Sequence, residues 1–445
     1  MAATGGRPVK YPNPDSNSAK LFARANRVQA DGGSRTTIRI NPYAIYARSA
    51  EGKYITDVDG NRLFDFNNNY TSMIHGHAHP RIVAAATEQI AKGTGYCFGS
   101  EPEVALSELL CGRVKSFEKI RFMNSGTEAV MNAIKAARAY TGKPKIAKCE
   151  NAYHGSYDFA EVSLGVEPTD LSAGDPGSRP YSYGTPQGVL DDVVVIPFND
   201  TDLSWHILEE RADSLAGVLI DPIGMNLARI PPTDEFLAMI RQFCDDHAAL
   251  FIADEVIAFR AGISGLQGVR DFRPDLTTLG KIIGGGFPVG AVAGPAEFMS
   301  VFESAEGKAK LPHGGTYNAN PVSMAAGLVA MEMMTEQEFS RINDLGSDFR
   351  DSIQEVLTLS DTEGEVQGQY SMFALTVSDP ALSDANPRGY VYHSTGLHQY
   401  LVQNGYWLTP GLVGVLSTAM DSADVSPFCE TLLRGIKELK KQSAA

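Results

Sequence analysis

Between about residue 80 and residue 330, short apolar runs alternate with stretches whose apolar residues recur at helical spacing. That is the signature of strands alternating with helices, and so of a parallel α/β sheet. The clearest predicted strands are Lys119–Met123, Val193–Pro197, Leu215–Ile220 and Ala249–Ala253. After the first of them, Val130, Ile134, Ala137 and Tyr140 mark one face of a helix that should stop at Gly142. Another helix is predicted near Ile82–Ile90. The first 70 residues have a different texture, with apolar runs at Tyr43–Tyr46, Tyr54–Val58 and Leu63–Phe66 and a turn at Asp59-Gly60-Asn61. They read as a small antiparallel element. Beyond about residue 335 helix and strand patterns return with weaker hydrophobicity, and Arg434–Lys441 reads as a basic helical tail. Leu164–Gly188 is rich in Gly, Pro, Ser and Tyr without periodicity, a surface excursion of the length usually functional or mobile. No internal repeat or low-complexity tract is present.

The bulk numbers narrow the class. A chain of 445 residues exceeds the size at which single cores stop growing, so two domains around a shared cleft are expected. Hydrophobic residues at 43% and charged residues at 20% describe a globular protein, and several of the 43 glycines cluster where backbone must approach something closely. A net charge of −15 and a pI near 5.1 would repel nucleic acid and anionic membrane, so neither is expected as a partner. No apolar run approaches the roughly 18 residues of a membrane span, and Met1–Lys20 lacks the apolar stretch of a secretory signal. Five scattered cysteines (Cys97, Cys111, Cys149, Cys244, Cys429) argue against a disulfide framework or zinc site and for a reducing cytoplasm. His75, His77 and His79 suggest metal ligands at first glance, but they satisfy no ligand spacing rule and precede Pro80, so a turn before the helix is the expectation.

Four short constellations carry candidate chemistry. In the first, Asn124-Ser125-Gly126-Thr127-Glu128, a strand runs into a hydroxyl-bearing turn that opens a helix. This is either a ready anion site or an ordinary N-cap. In the second, the apolar strand Ala249–Ala253 ends in Asp254-Glu255 at the edge where open α/β sheets bind ligands. A buried carboxylate there requires a cation, whereas a helix cap or surface pair would not. The third, Thr278-Leu279-Gly280-Lys281-Ile282-Ile283-Gly284-Gly285-Gly286, sets a lone lysine in an apolar stretch. Desolvation there would make Lys281 a usable amine nucleophile and base, and a snorkelling lysine is the plainer alternative. The segment matches neither a phosphate-binding P-loop nor a dinucleotide fingerprint, which argues against a nicotinamide dehydrogenase. The fourth, Gly314-Gly315-Thr316-Tyr317-Asn318, is a small-residue loop with a central hydroxyl. An anion cradle, a strand-end carboxylate, an activated lysine and a second hydroxyl loop together suit a phosphorylated, protonatable aldehyde cofactor.

These motifs, with Tyr153-His154-Gly155, Asp254-Glu255-Val256 and Gly315-Thr316-Tyr317-Asn318-Ala319-Asn320-Pro321, resemble the class III aminotransferases. The resemblance covers roughly residues 25 to 335. It is strongest to the branch of glutamate-1-semialdehyde aminomutase and the β-amino-acid and D-phenylglycine aminotransferases. It implies an α/β fold of type I, with a large domain (76–333) holding a mainly parallel sheet and a small domain drawn from both chain ends (1–75 and 334–445). It also implies a homodimer with shared active sites, pyridoxal 5′-phosphate as cofactor, and amino and keto acids as substrates. Carried over by position, Ser125, Gly126 and Thr127 would hold the cofactor phosphate and Tyr153 would stack on its ring. Asp254 would pair with the ring nitrogen, and Val256 would cover the other face. Lys281 would carry the cofactor as a Schiff base, and Thr316 would reach the partner's cofactor phosphate. Arg35, in the glycine turn Asp31–Arg35, would bind the substrate carboxylate, with Arg39 as the competing choice. The resemblance has departures. Asp221-Pro222 replaces the usual Glu-Pro, and Leu408-Thr409-Pro410-Gly411-Leu412-Val413 replaces the charged Ala-Pro-Ser-x-Phe-Glu of the aminomutases. Intermolecular amino transfer is therefore the leading expectation and an aminomutase the alternative.

Overall fold

After the helix Asn17–Ala25 come three antiparallel strands, β1 (Ala47–Glu51), β2 (Tyr54–Asp57) and β3 (Arg62–Asp65). The turn between β2 and β3 is held by the Asp57 carboxylate, which accepts from the Asp59 and Asn61 amides at 2.9 and 2.7 Å. An aspartate is suited to bonding its own turn in this way. The predicted run Tyr43–Tyr46 is not a strand. Tyr43 instead packs edge-on against Tyr11, with ring centroids 5.1 Å apart. This computed structural model describes residues 9–36, 40–167, 169, 174–224, 230–304, 307–382 and 394–443.

The central unit, Pro80–Ser340, is organised by a seven-stranded sheet. Its strands are β4 (Lys119–Met123), β5 (Lys145–Cys149), β6 (Val193–Ile196), β7 (Leu215–Ile220), β8 (Leu250–Asp254), β9 (Leu276–Gly280) and β10 (Gly290–Gly294). Their order is β4-β10-β9-β8-β7-β5-β6, and only β10 runs against the rest. The fold is thus α/β with a mainly parallel sheet, as in fold-type I. Both faces of the sheet are covered. Along β8, Leu250 and Ile252 join a core with Ala129, Val130, Ala133 and Ile134 of the helix Gly126–Thr141. Phe251 points the other way, into Phe236, Ile240 and Phe243 of the helix Asp234–His247. This is the two-residue alternation of a strand. Gly142 ends the first of these helices in the left-handed conformation, as predicted.

The second unit combines Met1–His79 with Arg341–Ala445. Here β11 (Gly364–Gln367), β12 (Met372–Val377) and β14 (Val413–Val415) form a small antiparallel sheet, while β13 (Tyr406–Trp407) extends the first one beside β3. Phe66, Phe349, Phe373 and Phe428 meet in its core, with Phe349 and Phe373 stacked at 5.6 Å. Arg434–Lys441 is helical, as expected, but it is packed as the end of the helix Val425–Ser443, whose Phe428, Leu432 and Ile436 are buried.

Immediately after β3 the backbone does something a glycine-free sequence rarely does. Asn68, Asn69, Tyr70 and Thr71 have φ of 48°, 48°, 53° and 76°, a complete left-handed turn. L-residues pay about 1–2 kcal/mol each for this conformation, so the surroundings must enforce it. Asp65, fully buried, accepts from the Asn67 and Asn68 amides at 2.8 and 3.1 Å and lies 2.7 Å from His77 Nε2. Asn68 Nδ2 donates to the carbonyl of Val415 at 2.7 Å, and Asn67 Oδ1 accepts from the Tyr70 amide at 2.8 Å. The histidine-rich run therefore serves this network: His77 holds Asp65, and His75 Nδ1 lies 3.0 Å from Thr418 Oγ1.

Candidate active site

In the central unit the carboxyl ends of β4, β8 and β9 deliver three turns to one edge of the sheet. Ser125, extended at φ −154°, caps the helix Gly126–Thr141 by accepting from the Glu128 amide at 3.1 Å. The Gly126 and Thr127 amides lie in the first turn, where no intrahelical acceptor exists, so they remain available to an anion. Close packing ties this turn to the other two. A Cβ on Gly126 would come within 2.8 Å of Val256 Cγ1, and one on Gly280 within 3.3 Å of the same atom. Thr127 Oγ1 accepts from the Ser156 amide at 3.1 Å, and a Cβ on Gly155 would lie 2.5 Å from that oxygen. Ser125, Gly126, Thr127, Val256 and the Gly280–Lys281 step are therefore neighbours, with the Tyr153–Gly155 loop against them.

Asp254 and Glu255, indistinguishable as a pair in the sequence, diverge here. Asp254 ends β8 and is buried. Its Oδ1 accepts from Thr278 Oγ1 at 2.9 Å and the Val256 amide at 3.2 Å, and its Oδ2 lies 2.8 Å from His154 Nδ1. Glu255 starts the helical turn beyond it and faces away. Fully buried, it accepts from the Leu266 and Gln267 amides at 2.8 and 2.9 Å and from Gln267 Nε2 at 3.1 Å. Burial pushes its carboxyl up to about 7 against the pull of those three donors. It is thus a structural carboxylate, and Asp254 is the one that stands at the sheet edge.

Lys281 directly succeeds β9 and is one of the few non-glycine residues with a left-handed backbone, φ 49°. Burial lowers its ammonium below the ordinary lysine value, with the charges of Asp254 and Asp221 pulling it partly back. A desolvated lysine in left-handed backbone, within electrostatic reach of a buried carboxylate, is a mark of functional sites more than of stable cores.

Tyr153 is 44% exposed and offers a free ring beside this group. Thr316 lies exposed on the loop before the helix Pro321–Met333, held by Asn318, which accepts from Asn124 Nδ2 at 2.9 Å. Arg35 belongs to the other unit, where its guanidinium donates to Asn69 Oδ1 at 2.9 Å. Arg39 lies outside the described residues. His154 and Thr278 are functional candidates that sequence reasoning missed, although both lie inside the motifs. Only proximity in space, 100 residues apart in the case of His154, reveals that both hold Asp254. The described part of the Leu164–Gly188 excursion is anchored near Tyr153. Asn151 exchanges bonds with both backbone groups of Val166 at 3.0 and 3.1 Å, and Glu150 accepts from Arg179 and from Thr169 Oγ1.

The comparisons with known proteins agree with this geometry. The family described as Aminotransferase class-III matches residues 38–410. A glutamate-1-semialdehyde 2,1-aminomutase of Methanopyrus kandleri is 36% identical over 402 residues, covering 89% of this chain and 91% of the relative. Among solved structures, an omega-transaminase from Sphaerobacter thermophilus superposes with a TM-score of 0.91 at 45% identity, covering 96% of this chain and 99% of that one. A structure described as a transaminase with PLP bound superposes with a TM-score of 0.89 at 39% identity, over 96% and 99%. With most of its length matched and its site assembled at the expected sheet edge, the chain belongs to the class III aminotransferase family.

Proposed function

We propose that the protein is a pyridoxal-phosphate-dependent aminotransferase that moves an amino group from an amino acid, of the β- or aromatic kind, to a keto acid in two half-reactions. The observation that carries this reading is the meeting of Lys281, Asp254 and the Ser125–Thr127 turn around Val256. The residues fit the cofactor. The free amides of Gly126 and Thr127 suit a phosphate, the exposed Tyr153 ring and Val256 suit the two faces of a flat heterocycle, and the buried Asp254 suits a protonated ring nitrogen. Lys281 is the amine for covalent attachment. When bound, the cofactor supplies an electron sink for the carbanion formed at the substrate's amino-bearing carbon.

The chain's own groups do the rest. Asp254, fixed by Thr278, His154 and the Val256 amide, would hold the proton on the ring nitrogen. Lys281 Nζ, where it is not bonded to the cofactor, would take the proton from the substrate carbon. Its lowered basicity suits it to give the proton up again. Arg35 is the clamp for the substrate carboxylate, since a guanidinium fork matches a carboxylate with two parallel bonds. Five free thiols accord with a cytoplasmic setting.

The segment 408–413 favours transfer between molecules over an aminomutase. Leu408 and Leu412 are buried in an apolar core, and the segment presents no carboxylate. The test is a half-reaction. Holoenzyme mixed with α-, β- and D-amino acids should lose the visible absorption of its aldehyde form, release one carbonyl product, and regain the absorption only when a second carbonyl compound is added. Recovery without an acceptor, with isomerised substrate, would identify an aminomutase.

Thr316 is assigned to the cofactor phosphate of the partner in a homodimer. Subunit exchange between Lys281→Ala and Thr316→Ala proteins should then give hybrids with one intact site and activity above either parent. Proven exchange without recovery would show that each chain completes its own site.

A further inference from the structure

The Arg35 side chain, from the segment before β1, reaches the left-handed turn after β3. Its guanidinium donates to Asn69 Oδ1 at 2.9 Å and lies 6.0 Å from the centre of the Tyr70 ring. Asn69 and Tyr70 are the two middle residues of four consecutive left-handed positions. Four consecutive non-glycine residues in that conformation cost about 1–2 kcal/mol each, so their surroundings must enforce it. The turn is enforced by fully buried groups. Asp65 grips the Asn67 and Asn68 amides and His77, and Asn68 reaches the Val415 carbonyl. Asn69, by contrast, is exposed and bonds outward, to Arg35 and to Ser72 Oγ at 3.1 Å. The buried half of the network fixes the backbone, and the exposed half projects one amide oxygen at the arginine.

We infer that Asn69 is the positioning residue for Arg35, so that this left-handed turn sets how tightly the enzyme holds the carboxylate of its amino donor. This rests on the reading of Arg35 as the carboxylate clamp. One bond to Asn69 uses one of the five guanidinium N–H donors and leaves the fork free for a ligand. It also restrains a long side chain that would otherwise have to be ordered each time a carboxylate binds. Asparagine suits the position on two counts. It tolerates the left-handed region better than other non-glycine residues, and its oxygen orients a cation without cancelling the cation's charge.

Two substitutions separate these roles without disturbing the backbone. Asn69→Gly accepts a positive φ and deletes the amide. Asn69→Asp keeps the size and the left-handed tolerance but pairs the guanidinium with a competing carboxylate. The probes are 3-phenylpropanoate and its uncharged amide, 3-phenylpropanamide, titrated calorimetrically into holoenzyme, so no turnover is needed. Asn69→Gly is expected to weaken the acid roughly tenfold, and Asn69→Asp more strongly, as a bond to a charged group is lost or a rival ion installed. The amide should change less than about twofold in both, within ordinary scatter for a surface substitution. On an Arg35→Ala background, Asn69→Gly should add nothing, the sign of two residues acting as one unit. If Arg35→Ala weakens the acid selectively but both Asn69 variants bind it like the parent, the inference fails and Arg35 remains the clamp. If Arg35→Ala leaves acid and amide binding unchanged relative to each other, both assignments fall.

Discussion

Replacing Lys281 with alanine is expected to abolish turnover, by roughly 10⁴-fold or more, because the substitution removes the proposed attachment point and proton carrier together. Borohydride treatment of the parent enzyme should fix the cofactor's mass on the peptide containing Lys281, and the variant should take up no label. Normal turnover in Lys281→Ala, or label on another lysine, would remove the basis of the proposed mechanism. A second readout is independent of catalysis. Burial lowers the Lys281 ammonium, so between that lowered value and the ordinary one near 10.5 the folded protein binds fewer protons than the unfolded chain. Stability must therefore rise with pH through that window, and below it the full cost of burying the charge is present. The apoprotein of Lys281→Met, which buries no charge, should melt above the parent apoprotein at neutral pH. The gap should close as the pH is raised toward the ordinary lysine value.

The second large effect belongs to Asp254. Asp254→Asn keeps the shape but removes the carboxylate proposed to hold the ring-nitrogen proton, and should slow substrate proton abstraction roughly a thousandfold. Its sequence neighbour supplies the control. Glu255→Gln should leave turnover within a few-fold while costing about 1–3 kcal/mol of stability, because an amide nitrogen would face the Leu266 or Gln267 donors. The pH dependence separates them further. With its folded value raised from 4.5 to about 7, Glu255 contributes stability that is fully present below 4.5 and is lost as pH rises through 7. The difference between parent and Glu255→Gln should therefore narrow over that interval. Stopped-flow rates with thermal melts at pH 5 and pH 8 measure both. Equal catalytic losses in the two variants would end the distinction between the carboxylates.

Much of this arrangement was legible because it is local. The strand before Asp254, the hydroxyl turn at Ser125 and the glycine-flanked Lys281 each announce themselves within ten residues, by hydrophobic run, cap and breaker. β5 is hidden in the sequence, since Lys145 and Lys148 interrupt its apolar pattern. Yet Lys148 is fully buried, its ammonium satisfied by the Cys149 and Val162 carbonyls at 3.0 and 2.9 Å. β10 is hidden because Gly-Ala-Val-Ala-Gly has little strand propensity. It is a strand because small residues let it slide between β4 and β9, where a Cβ on Gly290 would sit 2.0 Å from the Ser125 carbonyl oxygen. The left-handed turn at Asn68–Thr71 is invisible for the opposite reason. Nothing in the four residues demands it, and the groups that enforce it, His77 and the Val415 carbonyl, lie elsewhere in the chain. His154 likewise gains its meaning only from Asp254.

The placement of β10 also has a consequence for how the protein is born. β4, which leads into the Ser125–Thr127 turn, occupies the edge of the sheet, and among the described strands its ladder partner is β10. A ribosome working from the N-terminus completes β4 at Met123 but does not supply its neighbour until Gly290–Gly294. For all that time the nascent strand has no ladder to join, and closing so long a loop is slow. The Ser125 cradle and the Lys281 turn are thus finished almost together, late in synthesis. A translation product halted before Gly290 should be unable to retain the cofactor, and should offer an unpaired strand to chaperones instead.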